Sequence, residues 1–369
     1  MDLLLSLPVL SYFSGSLTSW STSLNLLFFY MTWSTLVLSH SPLEVEIVGV
    51  AALRAALWLV PSLFFLAFDT LLPSLAENVK YNGASALPPR DVKALGKIIG
   101  LALFNFALEL GVEAGMSLGL TTILNNPVFR TSTTLPLPWQ IAKHLSLLFT
   151  GREILTYYIH RYLLHNHPVP TLSLFRYSGS SSSSSKSKRS RSKSKYKHSI
   201  AALHSTYAHA RHAPPYSLLL KGDHPFPYLL HRLTPLYLPA LALHLDGLHL
   251  LTYLLFVALV TLEETLALSG YAVLPGIVVG GMARRTAAHY ATGKGNFGSW
   301  GVLDWAHGTS VRGDVMGDLR DEAEKHRVRE RGERKAGEVG GLVSDGIDGL
   351  RKGKRRSGRT RTGKGGNGA

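Results

Sequence analysis

The chain has 369 residues, of which 46% are hydrophobic, and it carries a formal charge of +15 but no cysteine. The absence of cysteine excludes disulfides, thiolate-bound zinc, iron–sulfur clusters and cysteine nucleophiles, so any metal must be held by imidazole and carboxylate groups. Basic residues are confined to a few segments, and long stretches carry almost none. This segregation is typical of a membrane protein with basic cytosolic parts, rather than of a soluble basic protein.

Residues 1–137 are predicted to form an N-terminal transmembrane region. The apolar run 24–38 is short for the ~20 residues that a membrane-spanning helix needs, whereas the run 45–72 is long enough. A polar connection over 73–97 carries four basic residues, and the positive-inside rule places it on the cytosolic side. The next apolar run, 98–124, is a further membrane segment.

The segment 98–124 carries two features beyond its hydrophobicity. Gly111, Gly115 and Gly119 recur at every fourth position, so small residues line one helix face and favour close helix packing there. Glu109 and Glu113 lie on the same segment. We expect these carboxylates to face the interior of the bundle, because a charged group is costly in contact with lipid.

The histidine-bearing domain is predicted over residues 138–310. It opens with one helix over 138–165, and a Ser/Lys/Arg-only run within 178–195 forms an insert with no apolar residues to bury. The apolar stretch 229–268 fits one or two membrane-embedded helices. Residues 311–369 form a basic, Gly-rich tail. We expect no nucleic-acid partner, since the basic runs have the character of solvated segments.

The middle of the chain concentrates histidines at irregular spacings. His160 and His165 are five residues apart, about 140° round an ideal helix, so they converge only if the helix ends, distorts or bends between them. His209 and His212 share a helix face, whereas His204 and His209 need an irregular turn to meet. Neutral imidazoles in an apolar setting are good ligands for iron. Isolated histidines are expected to be interfacial or hydrogen-bonded residues instead; these are His40, His231, His244 and His249.

Several motifs occur in a fixed order across residues 140–310. They are Tyr158-x-His160-Arg161-x-x-x-His165, His204-x4-His209 with Ala213-Pro214, Asp223-His224-Pro225, Ser269-Gly270-Tyr271, and Asn296-Phe297-Gly298 leading to Leu303-Asp304-Trp305 and Gly308-Thr309. In these motifs the chain resembles the fatty acid hydroxylase / sterol desaturase superfamily of membrane di-iron oxygenases, and within it the fungal sterol-desaturase-like branch.

The resemblance implies an all-α fold: a multi-span integral membrane helical bundle with a cytosolic histidine-rich metal-binding cap. It implies an iron-dependent oxidoreductase, with a di-iron centre, that uses O2 to hydroxylate, desaturate or oxidise a lipid or sterol C–H bond. Electrons would come from a cytochrome b5 or an NAD(P)H reductase. The expected location is the endoplasmic reticulum, with the loop 166–212 and the C-terminal tail cytosolic. The implied metal ligands are His160, His165, His204, His209, His224 and His289, with His212 as a replacement for a lost ligand.

The chain also departs from the pattern of that superfamily. Ala208, Leu268, Arg285 and Ala288 stand where family members commonly carry histidine, and an arginine cannot take over as a ligand because it is always cationic. The alternative prediction is therefore a catalytically impaired member that acts as a membrane lipid-binding or partner-binding protein. Asp304 is expected to cap and pack the fold, with a hydrogen bond toward a ligand histidine as a further role.

Overall fold

A computed structural model describes residues 20–165, 199–209 and 216–325, and this part of the chain is helical without any β-strand. The all-helical prediction is therefore confirmed for the described residues. The α-helices in chain order are α1 Trp20–Ser39, α2 Pro42–Leu71, α3 Pro73–Val79, α4 Val92–Leu124, α5 Pro138–Tyr158, α6 Ile200–Tyr207, α7 Pro225–Tyr228, α8 Thr234–Ala242, α9 Leu250–Ala267, α10 Gly281–Thr292, α11 Val302–Ala306 and α12 Val315–Lys325.

Several helices contain or adjoin a π-helical turn, in which backbone hydrogen bonds join residues five positions apart instead of four. One such turn, Ala55–Leu59, lies within α2. A second, Ile159–Leu164, extends α5, and a third, Leu229–Leu233, joins α7 to α8. A fourth, Gly276–Gly280, leads into α10. The second and third carry histidines, and they position part of the candidate site.

The local sequence explains where the two longest helices begin. The side chain of Ser41 accepts a hydrogen bond from the Glu44 N–H (3.3 Å), and the Glu44 carboxylate accepts one from the Ser41 N–H (2.9 Å). This reciprocal pair, followed by a proline at the first helical position, is a strong start signal for α2. At α4 the cap is one-sided: the Asp91 carboxylate accepts from the N–H groups of Lys93 and Ala94.

Three of the described helices are long and apolar enough to cross a membrane: α2, α4 and α9. The apolar part of α1, Leu24–Ser39, is shorter, in line with the sequence prediction. The run 138–165 forms one helix through α5 and its π-helical extension. The stretch 229–268 divides into two helical stretches, because the turn His244–Asp246 and the left-handed Gly247 separate α8 from α9.

The core joins the two predicted regions of the chain. Val50 of α2, Leu148 of α5, Tyr237 of α8 and Phe256 of α9 are all buried in one hydrophobic cluster. The chain divides into two compact units, Met1–Val315 and Met316–Ala369, and the described residues of the second lie in α12. The predicted insert and most of the predicted basic tail lie outside the described residues.

Candidate metal centre

The first pair of histidines meets because α5 changes its helical pitch. His160 lies on the π-helical turn Ile159–Leu164 and His165 caps its C-terminal end, where the His165 N–H bonds to the His160 carbonyl at 3.0 Å. This hydrogen bond spans five residues instead of four, so a five-residue spacing returns to the same face of the helix. The two imidazole rings are 4.9 Å apart between centroids. The predicted distortion between these residues is present.

The second pair meets where α6 ends. His204 lies in the last turn of α6, and the chain leaves the helix after Tyr207. The turn that follows brings the ring of His209 to within 5.0 Å of the His204 ring. His209 is also 5.1 Å from His165. One ring nitrogen from each of His160, His165, His204 and His209 lies within 4.8 Å of the other three, a spacing that can hold a metal ion.

His289 joins this cluster from α10, and its ring lies 4.6 Å from that of His160. The turn that follows α10 supports both residues: His289 Nδ1 donates to the Gly295 carbonyl (2.7 Å) and His160 Nδ1 donates to the Phe297 carbonyl (3.0 Å). Gly295 has a positive φ of 72°, and a Cβ there would lie 2.2 Å from the Thr309 carbonyl oxygen. Only glycine fits that position.

Asp304 stabilises the same turn, residues 295–298, through hydrogen bonds to its backbone. Its carboxylate accepts hydrogen bonds from the N–H groups of Phe297 (2.9 Å) and Gly298 (2.7 Å), and from the Thr309 hydroxyl (2.6 Å). Asp304 therefore acts on the cluster through the backbone of Phe297, whose carbonyl holds the ring of His160. The structure bears out its predicted capping role.

His231 belongs to the cluster, although the sequence analysis placed it among the isolated histidines. It lies on the π-helical turn Leu229–Leu233, is buried, and places its ring 4.3 Å from that of His160. Its sequence signal is weak: a His-Arg pair inside the apolar run from 228 to 243. A buried polar group in such a run needs a partner, and that requirement was the available clue.

His224 lies outside the cluster. Its ring caps α7 by accepting from the Phe226 N–H (3.3 Å), and it packs against Tyr207. Its neighbour Asp223 reaches the site instead, because the Asp223 carboxylate accepts a hydrogen bond from His204 Nδ1 at 2.6 Å. His212, the other predicted ligand, lies outside the described residues.

The hydrogen bonds of the cluster leave its ligand atoms available. In His160, His204 and His289 the Nδ1 atom donates to a carbonyl or a carboxylate, which leaves the lone pair on Nε2. The Nε2 atoms of these three residues and of His231 are buried without a hydrogen-bond partner. Orphaned buried acceptors are costly, and metal coordination would satisfy them. The donor set is composed of imidazoles, which suit iron, zinc, copper and nickel.

Burial keeps the central imidazoles neutral. It lowers the pKa of His160 and of His231 well below the ordinary value, and the guanidinium of Arg232 adds to the effect at His231. Burial also lowers the pKa of His289 to about 3, with a further contribution from His165. Neutral imidazole is the form that binds a metal, so the lowered pKa values favour the ligating form of His160, His231 and His289.

A cavity of about 60 Å³ adjoins the histidines. Arg152, Arg232 and Glu264 lie on its wall. Arg152 pairs with Glu263 (3.0 Å) and Glu264 (2.9 Å), and Arg232 pairs with Glu264 (3.1 Å). These carboxylates neutralise the guanidinium groups, so the wall does not repel a metal cation.

Three of the four positions that depart from the superfamily pattern are buried close to the site. Leu268 forms part of the cavity wall, and Arg285 and Ala288 are buried in α10, which also carries His289. Ala208 lies in the turn between His204 and His209. The cluster is therefore assembled from six described histidines, of which His231 replaces the predicted His224.

No family model and no solved structure matches the chain. The resemblance drawn from the motifs therefore stays a prediction, and the function must be argued from the cluster and its surroundings.

Proposed function

We propose that this chain is a membrane-bound, iron-dependent oxidoreductase that uses O2 to hydroxylate, desaturate or oxidise a C–H bond of a lipid or sterol. The observation that supports the proposal most strongly is the convergence of six imidazoles beside a cavity in a chain with three candidate membrane-spanning helices. Imidazole clusters of this size are costly to bury, and metal binding accounts for them.

Bound iron would supply the reduction of O2 and the oxidation of an unactivated C–H bond, chemistry that no side chain performs by itself. In a hydroxylation, one oxygen atom enters the C–H bond, and the other leaves as water after the donor provides two electrons and two protons. A cytochrome b5 or an NAD(P)H reductase is the proposed electron donor, as the family resemblance implies.

The residues of the chain have two roles in this proposal. The Nδ1 hydrogen bonds of His160, His204 and His289 fix the orientation of the rings and leave their buried Nε2 atoms to hold the metal when it is bound. Buried apolar residues on the cavity wall, including Leu268 and Met282, limit the access of water to the reacting carbon. The apolar helices would deliver substrate from the bilayer into this cavity.

The first test is the metal content of the detergent-purified chain, with iron and zinc counted together by elemental analysis. We expect about two metal ions per chain, with iron as the metal that supports oxidation. A screen of lipid and sterol substrates under O2, with reductant supplied, would follow. Folded protein that takes up no metal would contradict the proposal.

A second function is favoured by one observation, the small size of the cavity. A volume of about 60 Å³ is well below the roughly 300 Å³ at which ligand pockets begin, so it admits only the reacting end of a lipid or sterol. Together with the missing histidines at Leu268, Arg285 and Ala288, this favours a catalytically impaired protein that binds a membrane lipid or a partner. A chain that binds metal tightly and consumes no O2 with any lipid would support this alternative.

A further inference from the structure

One face of α4 is polar in the middle of the helix. Its buried polar residues Asn105, Glu109, Glu113 and Ser117 recur at every fourth position, and the outer residues extend over about 18 Å of the helix. Polar groups in a candidate membrane span are expensive unless partners satisfy them. We call this set the α4 polar face.

Each member of the α4 polar face has partners from another helix or turn. Glu109 pairs with Lys221 and accepts from the Tyr228 hydroxyl. Glu113 pairs with Arg54 at 2.6 Å. At the far end, Ser117 bonds to Glu46 and to the Tyr237 hydroxyl.

Asn105, at the end of the α4 polar face nearest the proposed metal centre, binds the three-residue segment 221–223. The side-chain amide of Asn105 donates to the carbonyl of Lys221 (2.8 Å) and to the carbonyl of Asp223 (2.7 Å). One amide group therefore fixes the backbone on both sides of Gly222. The ammonium of Lys221 is held one helical turn farther along α4, by Glu109.

The side chains at the two ends of this segment serve different sites. The ammonium of Lys221 pairs with Glu109 of α4, whereas the carboxylate of Asp223 accepts a hydrogen bond from His204 Nδ1 at 2.6 Å. The position of Asp223 thus depends on a segment that α4 holds by three contacts. A shift of that segment would turn the ring of His204, whose Nε2 is buried without a partner.

We infer that Asn105 is a positioning residue for the metal centre, acting through the backbone of Asp223 on the orientation of His204. Asn105 does not contact the cluster itself. The inference rests on the proposed metal site, and it adds that a residue of a candidate membrane-spanning helix sets the geometry of that site.

The test uses the full chain in detergent, loaded with Co²⁺ as a spectroscopic probe. Asn105→Leu removes both amide donors and keeps the branched shape and the number of heavy atoms of the side chain. We expect about tenfold weaker Co²⁺ binding, in the range found when a hydrogen bond to a ligand histidine is lost, together with a changed d–d absorption spectrum. Asp223→Asn should change the spectrum in the same way. Ser117→Ala is the matched control, because Ser117 is buried on the same face of α4 and does not contact residues 221–223.

The double variant Asn105→Leu/Asp223→Asn separates positioning from general damage. If Asn105 acts through Asp223, the Co²⁺ affinity of the double variant equals that of whichever single variant has the lower affinity. Additive losses, or a wild-type spectrum and affinity in Asn105→Leu, would overturn the inference. Should Asn105→Leu not fold, Asn105→Ser, which leaves one donor in place of two, carries the same expectations. Failure of the wild-type chain to bind Co²⁺, iron or zinc would instead reject the proposed function.

Discussion

His231 and His224 are seven residues apart in the sequence and have different surroundings. The ring of His231 lies 4.3 Å from that of His160, with its Nε2 buried, whereas His224 caps a short helix. We expect His231→Ala to lower metal affinity by at least tenfold, and His224→Ala to leave it unchanged. Elemental analysis after dialysis against a weak chelator would measure both. If His224→Ala loses metal and His231→Ala does not, His224 is the ligand, as the motif Asp223-His224-Pro225 implies, and His231 is not.

The residues at the centre of the cluster should be more sensitive still. His160 contacts four other histidine rings, and His209 contacts three. We predict that His160→Ala and His209→Ala each abolish iron binding. His244→Ala is the control, because His244 donates to the Val128 carbonyl (2.5 Å) away from the cluster. Full retention of iron in either of the first two variants would remove that residue from the ligand set.

The residue scale also shows what the sequence could and could not predict. The spacing of His160 and His165 predicted a helical distortion, because two residues five positions apart do not lie on the same face of an ideal α-helix. Nothing local distinguished His231 from the isolated histidines, since its partners are distant in sequence. Asp223 was part of a quoted motif, yet its bond to His204 depends on how α4 and α6 pack.

At the scale of helices, the ion pairs of the α4 polar face differ in burial from the pairs at the surface. Glu109 pairs with Lys221 and lies 3.5 Å from Arg54, and all three side chains are buried. Glu109→Gln would leave the Lys221 ammonium without its carboxylate in a buried site. We expect a loss of about 3–5 kcal/mol in the free energy of unfolding, measured by denaturant titration in detergent.

The matched control for Glu109→Gln is Lys143→Ala. This change breaks the ion pair with Asp246 (2.6 Å), in which both side chains are nearly half exposed. Surface pairs of this kind contribute about 0–1 kcal/mol. Equal losses in the two variants would mean that the buried network contributes no more than a surface pair.

Helix positions were predictable, whereas helix faces were less so. Apolar runs predicted the positions of α2, α4 and α5, because hydrophobic length is a local property. The start of α4 was predicted at residue 98, whereas the helix begins at Val92, after its cap Asp91. The carboxylates Glu109 and Glu113 face the interior as expected. Close packing on the face of Gly111, Gly115 and Gly119 was also expected, yet no atom of the described residues lies within 4 Å of where a Cβ would be at these glycines. A glycine repeat shows that close packing is possible and does not identify the neighbour.

Within the first unit, contacts between helix ends show which helix termini lie together with the histidine cluster and which lie at the opposite end. Tyr271, which follows α9, donates to Asp69 near the end of α2 (2.7 Å), and Lys80 pairs with the same aspartate. Leu268, after the last residue of α9, lines the cavity beside the histidines. The candidate metal centre therefore lies at the end of the helices that carries the connection between α3 and α4, which is the middle of the predicted basic segment 73–97. The start of α9, next to Leu245, lies at the opposite end, about 27 Å away along that helix.

This arrangement predicts where introduced cysteines will react, and the chain has no native cysteine to interfere. Ser85 is exposed at the metal end, and Leu245 is 93% exposed at the other end. Because basic connections stay on the cytosolic side, Ser85→Cys should react with a membrane-impermeant maleimide in sealed, cytosolic-side-out vesicles. Leu245→Cys should react only after detergent opens them. Reaction of both before detergent would mean that the bundle does not cross the bilayer, and the reverse pattern would place the metal centre on the lumenal side, away from a cytosolic electron donor.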